Sequence, residues 1–287
     1  MRHTGEGWRV GRRCSQRLWN WGGCIAVVGL LVVAGSAIAQ FWSPEVRVTE
    51  TLSHGQVDWT EGLMLSRDSA TSSVRQGAGV AAMEAATQAA RQGLLGIFEQ
   101  VRFDATQMLG QAVRQAGTPW QELEALVARA RVVETQYFPR GVVETAVQLP
   151  FAGQFTAFFL PAVSSVTPES EPRIEAVHTG VVIDARGLAI QPALFPRIVD
   201  ERGQTLYAPE SVDREAAVQQ GYVAYAKVFD QAPAQARIGE HPLVLRALRV
   251  AGETRVDLVL GDAEATRIRD YTATRQLVRQ CRVLIVM

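Results

Sequence analysis

The sequence predicts an α+β fold in which a helix-rich N-terminal module with a β-hairpin precedes a mixed α/β domain. Apolar side chains between residues 79 and 101 recur every three or four positions, which is the spacing of one face of a helix. Residues 132–147 alternate in polarity on both sides of a turn, which is typical of a β-hairpin. After residue 172, short apolar runs interleave unevenly with two helical stretches, which indicates a mixture of strands and helices.

The first 39 residues have the order of a secretory signal peptide. Five arginines between residues 2 and 17 precede an apolar run at residues 24–34, and small residues then lead to a cleavage site between Ala39 and Gln40. The alternative is a retained transmembrane anchor, but the apolar run is shorter than the roughly twenty residues that span a bilayer. We therefore expect cleavage, a periplasmic or exported protein, and no stable membrane anchor afterwards.

The composition is that of a globular protein, with 47% hydrophobic and 20% charged residues among 287. The whole chain has 29 basic and 29 acidic residues. Removal of residues 1–39 takes five arginines and Glu6, which leaves 24 basic against 28 acidic residues and a net charge of −4. This charge is not that of a nucleic-acid-binding protein, so we expect no nucleic-acid partner.

The mature chain retains a single cysteine, Cys281, because Cys14 and Cys24 lie in the signal segment. One cysteine forms no internal disulfide, and the fold therefore depends on its apolar core. Cys281 opens an apolar run, which favours a buried small hydrophobe over a reactive thiol. Cys24 stands at the start of the apolar run of the signal instead of following it, which is the wrong order for lipidation.

The N-terminal module begins with the strongest helix of the sequence, at residues 79–101. Its larger apolar side chains form one stripe, made of Val80, Met83, Thr87, Ala90, Leu94, Ile97 and Val101. Gly93 and Gly96 each lower helix propensity by about 1 kcal/mol relative to alanine. We therefore expect close packing against another element to compensate for these two glycines.

Two shorter helices and a hairpin complete this module. Asp104, followed by Gln107 three positions later, predicts a capping box that opens the second helix, and Thr118 caps the third. The sequence Val-Val-Glu-Thr occurs twice, ten residues apart, in the hairpin of residues 131–149, whose turn contains proline and glycine. A stretch rich in Pro, Ser and Glu at residues 161–172 is the predicted linker, so the two domains are residues 40–160 and residues 173–287.

The C-terminal domain contains six strand-like apolar runs, at residues 176–183, 193–199, 205–207, 243–250, 256–260 and 281–286. Two helices are expected near residues 212–220 and 263–274, the second of them capped by Asp262. Because strands and helices alternate unevenly, we predict a mixed domain and not a regular βαβ array.

No sequence motif indicates catalysis. His54, His178 and His241 are isolated, and with one cysteine no zinc site of ordinary ligand spacing exists. The sequence has no nucleophile elbow, phosphate-binding loop or dinucleotide fingerprint, and its only lysine, Lys227, lies in an apolar stretch. We expect no enzymatic activity, no metal and no cofactor, while the acidic residues leave paired-carboxylate chemistry open.

The most chemically suggestive stretch is TGVVIDARGL, residues 179–188, in which Asp184 and Arg186 follow an apolar run. At the carboxyl end of a central strand, such a pair lies where open α/β sheets hold ligands. The structural alternative is a turn in which Asp184 bonds the backbone and Gly187 adopts a positive φ. We favour the turn, and keep Asp184 and Arg186, with Glu201 and Arg202 nearby, as the candidate ligand or partner site.

Two segments resemble bacterial envelope proteins. The sequence QVDWTEG at residues 56–62, followed by an alanine-rich helix that ends in Val-Arg-Phe-Asp, resembles the N-terminal module of small outer-membrane lipoproteins and of the flagellar T-ring assembly protein. TGVVIDARGLAIQPALFPRIVDE is similar to a C-terminal segment of uncharacterised exported members of this group. The resemblance covers about residues 56–287 and implies an α+β envelope module without an established catalytic activity, sometimes part of larger assemblies. The chain differs from the lipoproteins in lacking a correctly placed cysteine, and nothing in it identifies a flagellar partner.

The predicted function is non-enzymatic binding or assembly in the cell envelope, with envelope proteins or a second copy of the chain as partners. The alternative is a periplasmic protein that binds a small ligand or hydrolyses it at a site around Asp184 and Arg186. A third possibility is an assembly scaffold that uses the exposed edge of the 131–149 hairpin for strand addition. Charges and prolines on that edge would argue against this third possibility.

Overall fold

The computed structural model describes residues 47–72, 78–115, 120–160, 177–228 and 232–287. The predicted signal peptide with its cleavage site between Ala39 and Gln40, the Thr118 cap and the predicted linker all lie outside the described residues. Within the described part of the chain, eight α-helices accompany twelve strands in two sheets. The predicted α+β class is therefore confirmed.

Five antiparallel strands form the first sheet, in the order β1-β2-β3-β5-β4. Strands β1 to β5 have the bounds Thr49–Leu52, Gly55–Asp58, Leu63–Thr71, Arg131–Phe138 and Val142–Pro150. β4 and β5 are the predicted hairpin, and its turn contains Arg140 and Gly141 with positive φ. Among the strands that the structure describes, β4 therefore has one neighbour, β5.

Four helices accompany the first sheet: α1 Ala78–Phe98, α2 Leu109–Gln115, α3 Trp120–Ala128 and α4 Gln154–Phe159. α1 packs on β3 and β5, and its buried face includes Ala82, Ala86, Ala90, Leu94 and Ile97. The predicted stripe is therefore right at Ala90, Leu94 and Ile97 and wrong at Val80, which is 58% exposed in the first turn; Val101 is buried, but it lies beyond the end of the helix. Small side chains at Ala82 and Ala86 occupy the buried face there, so the helix lies close to the sheet.

Gly93 and Gly96 permit the close approach of α1 to β3 and to the turn between β1 and β2. A Cβ atom at Gly93 would collide with the Oγ of Ser66, and one at Gly96 would lie 2.6 Å from Cδ2 of His54. A side chain at either position would therefore require Ser66 or His54 to move. The prediction that close packing compensates for these two glycines is confirmed.

The second helix begins five residues after its predicted cap. Oδ1 of Asp104 accepts hydrogen bonds from the backbone N–H groups of Thr106 and Gln107 at 2.6 and 3.0 Å, so the carboxylate closes a tight turn. A β-bridge between Arg102 and Met108 spans this turn. The predicted capping box is wrong because the turn and its bridge use the residues that would have formed the first turn of the helix.

Seven strands form the second sheet, in the order β8-β7-β11-β10-β6-β12-β9. Strands β6 to β12 have the bounds Val181–Asp184, Ile198–Asp200, Thr205–Tyr207, Ala224–Ala226, Leu243–Ala251, Asp257–Leu260 and Val283–Val286. β10, β6, β12 and β9 pair in parallel, as do β11 and β7. β10 pairs antiparallel with β11, and β7 pairs antiparallel with β8.

The apolar run at residues 193–199 is a strand only at its end, where β7 begins. The backbone N–H groups of Leu194 and Phe195 donate hydrogen bonds to the carbonyl oxygens of Arg102 and Phe103, at 3.0 and 2.8 Å. These residues therefore connect the second sheet to the loop that follows α1. The prediction of a full strand here is wrong because the apolar side chains serve this connection.

The helices of the second half are α5 Arg214–Gln220, α6 Ala232–Ile238, α7 Asp262–Arg269 and α8 Thr272–Arg279. α5 agrees with the prediction, whereas α6 was not predicted. The single helix expected at residues 263–274 is two helices, with a break at Asp270 and Tyr271. Its predicted cap is also wrong, because Gly261 is the N-cap residue and Asp262 is the first residue of α7.

Aromatic side chains join the two sheets. The ring of Trp59, which follows β2, lies 5.4 Å from the ring of Phe151 and 5.7 Å from that of Tyr225 on β9. Phe195 likewise lies 4.9 Å from Phe103, which follows α1. One apolar core therefore contains side chains from both sheets.

Candidate functional site

The carboxylate of Asp184, at the end of β6, bonds the turn that follows it. Its Oδ1 accepts hydrogen bonds from the backbone N–H and the Nε of Arg186, at 3.1 and 2.8 Å, and its Oδ2 accepts one from NH2 of Arg186 at 2.7 Å. Gly187 has a positive φ of 83°. The side-chain hydrogen bonds from Arg186 are the main reason why the pKa of Asp184 lies below its ordinary value. The geometry is that of the turn favoured in the sequence analysis.

We expect Asp184→Ala to lower the free energy of unfolding by about 0.5–2 kcal/mol at neutral pH, as for loss of a capping hydrogen bond. Because folding lowers this pKa, the stabilisation is present above the unfolded-state pKa and is lost as the pH falls through the folded-state pKa. Denaturant unfolding at neutral pH and in acid measures the difference, with Glu240→Ala, which changes an exposed carboxylate, as control. If Asp184→Ala left the stability unchanged but abolished binding of a ligand or partner, the structural role of Asp184 would be contradicted.

Glu201 and Arg202 lie in the turn between β7 and β8. The buried carboxylate of Asp200 organises this turn, because its Oδ1 accepts the backbone N–H groups of Arg202 and Gln204 at 2.9 and 2.7 Å and its Oδ2 contacts Arg269 at 2.7 Å. Burial alone would raise the pKa of Asp200, but these hydrogen bonds and the charge of Arg269 lower it overall. Oε2 of Glu201 accepts the N–H of Asp262 at 3.1 Å, so the turn is attached to the start of α7.

The four predicted site residues do not form one site. Asp184 ends β6 and Glu201 follows β7, and two strands, β10 and β11, lie between β6 and β7. Three strand spacings separate them by about 14 Å. Asp184 bonds Arg186, whereas Glu201 bonds the start of α7. Among the described residues, no group of three or more His, Cys, Asp or Glu side chains comes together as a candidate metal site.

A groove of about 300 Å³ lies between the two sheets, away from these turns. Its lining includes Glu61, Phe151, Gly221 and Arg237, and none of the four predicted site residues. NH1 of Arg237 donates to the carbonyl oxygens of Gly221 and Cys281 at 3.1 and 2.7 Å, and its NH2 donates to that of Gln220. Burial lowers the pKa of Arg237 from its usual value. The guanidinium of Arg237 therefore donates hydrogen bonds to backbone carbonyl oxygens at the end of α5 and just after α8.

Cys281, the free cysteine of the described chain, is completely buried in the turn before β12. Its φ is 56°, in the left-handed region, and burial raises the pKa of its thiol to about 11. The predicted burial of this cysteine is confirmed, although it lies just before the last strand.

Cys281 should resist thiol reagents in the native protein at mildly alkaline pH, since only the thiolate reacts and the raised pKa keeps the thiol protonated. Mass spectrometry of the peptide that carries Cys281 measures the labelling rate with and without denaturant. We expect fast labelling only in denaturant. Rapid labelling of the native chain would show that the turn before β12 opens readily.

β4 is the most exposed edge of either sheet. The four edge strands of the described sheets are β1, β4, β8 and β9, with four, eight, three and three residues. Four of the β4 side chains are large, hydrophobic and exposed, namely Val132, Val133, Tyr137 and Phe138. Tyr137 is 67% exposed and Phe138 is 44% exposed. Alternate N–H and C=O groups of an edge strand also lack a partner strand, which makes it a template for strand addition.

The features that commonly protect an edge lie in the first part of β4 and directly after its end. The register with β5 shifts between Val132 and Glu134, which marks a bulge at Val133. Glu134 pairs with Arg67 at 2.6 Å, and Pro139 follows the end of the strand. Residues 135–138 therefore form a regular edge segment without a charge, a proline or a bulge.

Residues 180–287 match the family model described as the second domain of Treponema pallidum Tp0624. This segment, a little over a third of the chain, contains the whole second sheet. No curated protein matches the chain. Across the residues that the structure describes, no helix has both the length and the apolar character needed to cross a membrane.

Proposed function

We propose that this chain is an exported, non-enzymatic cell-envelope protein that binds other envelope proteins, or a second copy of itself, at the edge strand β4. The observation that carries the proposal is the edge at residues 135–138, which among the described strands pairs with β5 alone and where Tyr137 and Phe138 are exposed. The sequence resemblance of the first half to envelope modules that join larger assemblies also supports it.

Strand addition to β4 would combine two sources of binding free energy. Backbone groups that point away from β5 would bond the incoming strand and supply affinity, and side chains on alternate positions would supply specificity. Tyr137 and Phe138 lie on opposite faces of β4, because successive side chains of a strand alternate. Tyrosine is enriched among the residues that dominate protein–protein interfaces.

Export is tested by the mass of the protein isolated from the cells that make it. The basic and apolar order of residues 1–39 supports cleavage between Ala39 and Gln40. We expect a mature chain that begins at Gln40 and fractionates with the periplasm. A chain that retains residues 1–39 and sediments with membranes would favour the anchor alternative.

In-cell crosslinking of the tagged full-length chain, with mass-spectrometric identification, tests the binding role. We expect one or two reproducible envelope partners, or the chain itself, with capture reduced at least tenfold by the double variant Tyr137→Ser/Phe138→Ser. Tyr271→Ser is the matched control, since Tyr271 is 61% exposed on the loop between α7 and α8. Capture of nothing, or equal capture by all three chains, would overturn the proposal and make Asp184 the first residue to mutate.

A further inference from the structure

One face of β10, the central strand of the second sheet, is exposed along its length. Leu243, Leu245 and Ala247 are buried on the opposite face, whereas Val244 is 43% and Leu248 is 52% exposed. Arg246 and Arg249 are exposed as well. The register with β11 shifts between Ala247 and Arg249, and this bulge brings both Leu248 and Arg249 to the exposed side. We call the surface formed by Val244, Arg246, Leu248 and Arg249 the β10 face.

The neighbouring strands are covered on this same side. Val244 lies beside Val182 of β6 in a parallel pair, so the two side chains share a face. Val182, Ala226 and Leu284 are buried beneath Ala234 and Ile238 of α6. Sheets with parallel pairing are ordinarily covered by helices on both faces. Within the described chain, α6 therefore covers this side of β6, β12 and β9 but leaves the β10 face exposed.

The charge of the β10 face is basic. Arg246 lies near Asp184, but that carboxylate is already bonded twice by the Arg186 side chain. Neither Arg246 nor Arg249 forms an ion pair in the described part of the chain. Val244 and Leu248 lie between and beside these arginines, so the surface alternates apolar and cationic groups.

We propose that the β10 face binds an acidic amphipathic helix of a partner protein. The apolar side of such a helix would cover Val244 and Leu248 beside α6, and its carboxylates would pair with Arg246 and Arg249. Helix-in-groove recognition uses apolar residues at helical spacing in this way, and complementary charge adds specificity. This binding surface is distinct from the β4 edge and does not depend on the function proposed for it.

The positive charge of the β10 face argues against two other possible occupants, a second copy of the chain and a lipid surface. A second copy of the chain, related by a twofold axis through this surface, would bring two basic surfaces together, and like charges disfavour that contact. An anionic lipid surface would match the arginines, but peripheral binding of that kind uses an amphipathic helix or a larger basic cluster. The β10 face instead presents two arginines on a strand.

Selection from a displayed library of helical peptides against the full-length chain tests the proposal. We expect the enriched peptides to be acidic, with apolar residues at steps of three and four. Their affinity should fall at least tenfold for Leu248→Ser and for Arg246→Glu/Arg249→Glu, and remain unchanged for the control Arg267→Glu, which alters an exposed arginine of α7. Peptides with lysine in place of glutamate should regain binding to the Arg→Glu variant. Thermal unfolding establishes that each variant is folded.

Three results would overturn the proposal. No enrichment, or enrichment of basic or neutral peptides that ignore the β10 variants, would exclude a site for an acidic helix. Binding of phosphatidylglycerol vesicles that is lost in the same variants, without peptide binding, would assign the face to lipid. A concentration-dependent dimer in sedimentation experiments that Leu248→Ser abolishes would assign it to a second copy of the chain.

Discussion

Trp59→Ala is expected to lower the free energy of unfolding by about 3–5 kcal/mol, which is the usual range for removing a buried aromatic side chain. Trp59 is 2% exposed and contacts Phe151 of the first half and Tyr225 of the second. Its Nε1 also donates to Glu50 at 3.2 Å, so the substitution leaves both a cavity and a lost hydrogen bond. Denaturant unfolding followed by circular dichroism measures the change.

Trp120→Ala is the matched control for this substitution. Trp120 begins α3, is partly exposed and donates its Nε1 to Glu124 within the same helix. A smaller loss of stability is expected, because less buried apolar surface is removed. Equal effects at the two positions would show that the contact between the two sheets contributes little to stability.

Arg237→Met should lower the free energy of unfolding by about 2–4 kcal/mol, because three carbonyl oxygens lose their donor in a partly buried place. These oxygens belong to Gln220, Gly221 and Cys281, and the arginine thereby ties the end of α5 to the turn after α8. A change of this size would lower the melting temperature by about 4–16 °C for a chain of this length. Differential scanning calorimetry measures the shift.

Two further substitutions, Arg237→Lys and Arg267→Met, are the controls for Arg237→Met. Arg237→Lys should restore only part of the stability, since one ammonium group cannot reproduce the fork of donors that contacts three acceptors. Arg267→Met, which alters an exposed residue, should change the free energy of unfolding by less than about 0.5 kcal/mol. Full rescue by lysine would mean that charge, and not the hydrogen-bonding geometry, explains the role of Arg237.

The sequence predicted those elements whose side-chain pattern is contained in a single stretch of about twenty residues. The hairpin of β4 and β5 and the long helix α1 follow directly from the alternation and the helical spacing of their side chains. Gly93 and Gly96 correctly indicated a close neighbour, although the sequence did not identify Ser66 and His54 as the groups that approach. Elements with a weaker pattern, such as α6, were missed.

Long-range pairing decided the features that the sequence did not predict. β6 pairs with β12, about one hundred residues later, and no local pattern specifies that register. Apolar residues 193–195 resemble a strand, yet their backbone bonds the loop at Arg102 and Phe103. Arg237 has no local signal either, because its acceptors lie 16 to 44 residues away.

At the candidate site, the sequence predicted the turn at Asp184 but not the strand order around it. Asp184 and Arg186 form the turn that the sequence favoured, and the same turn explains why their charges are paired with each other. The sequence analysis grouped them with Glu201 and Arg202, but the structure separates the two pairs, because β10 and β11 lie between β6 and β7. The exposure of Tyr137 and Phe138 likewise depends on β4 being an edge strand, which alternation alone does not reveal.

Site-specific photo-crosslinking in growing cells tests the proposed role of β4 most directly. A photoreactive phenylalanine analogue replaces Tyr137 in one full-length chain and Tyr271 in another, since both side chains are more than 60% exposed. We expect discrete adducts with one or two envelope proteins, or with the chain itself, from position 137 and not from position 271. An absence of adducts at position 137, or the same adducts from both positions, would contradict binding at the edge of β4.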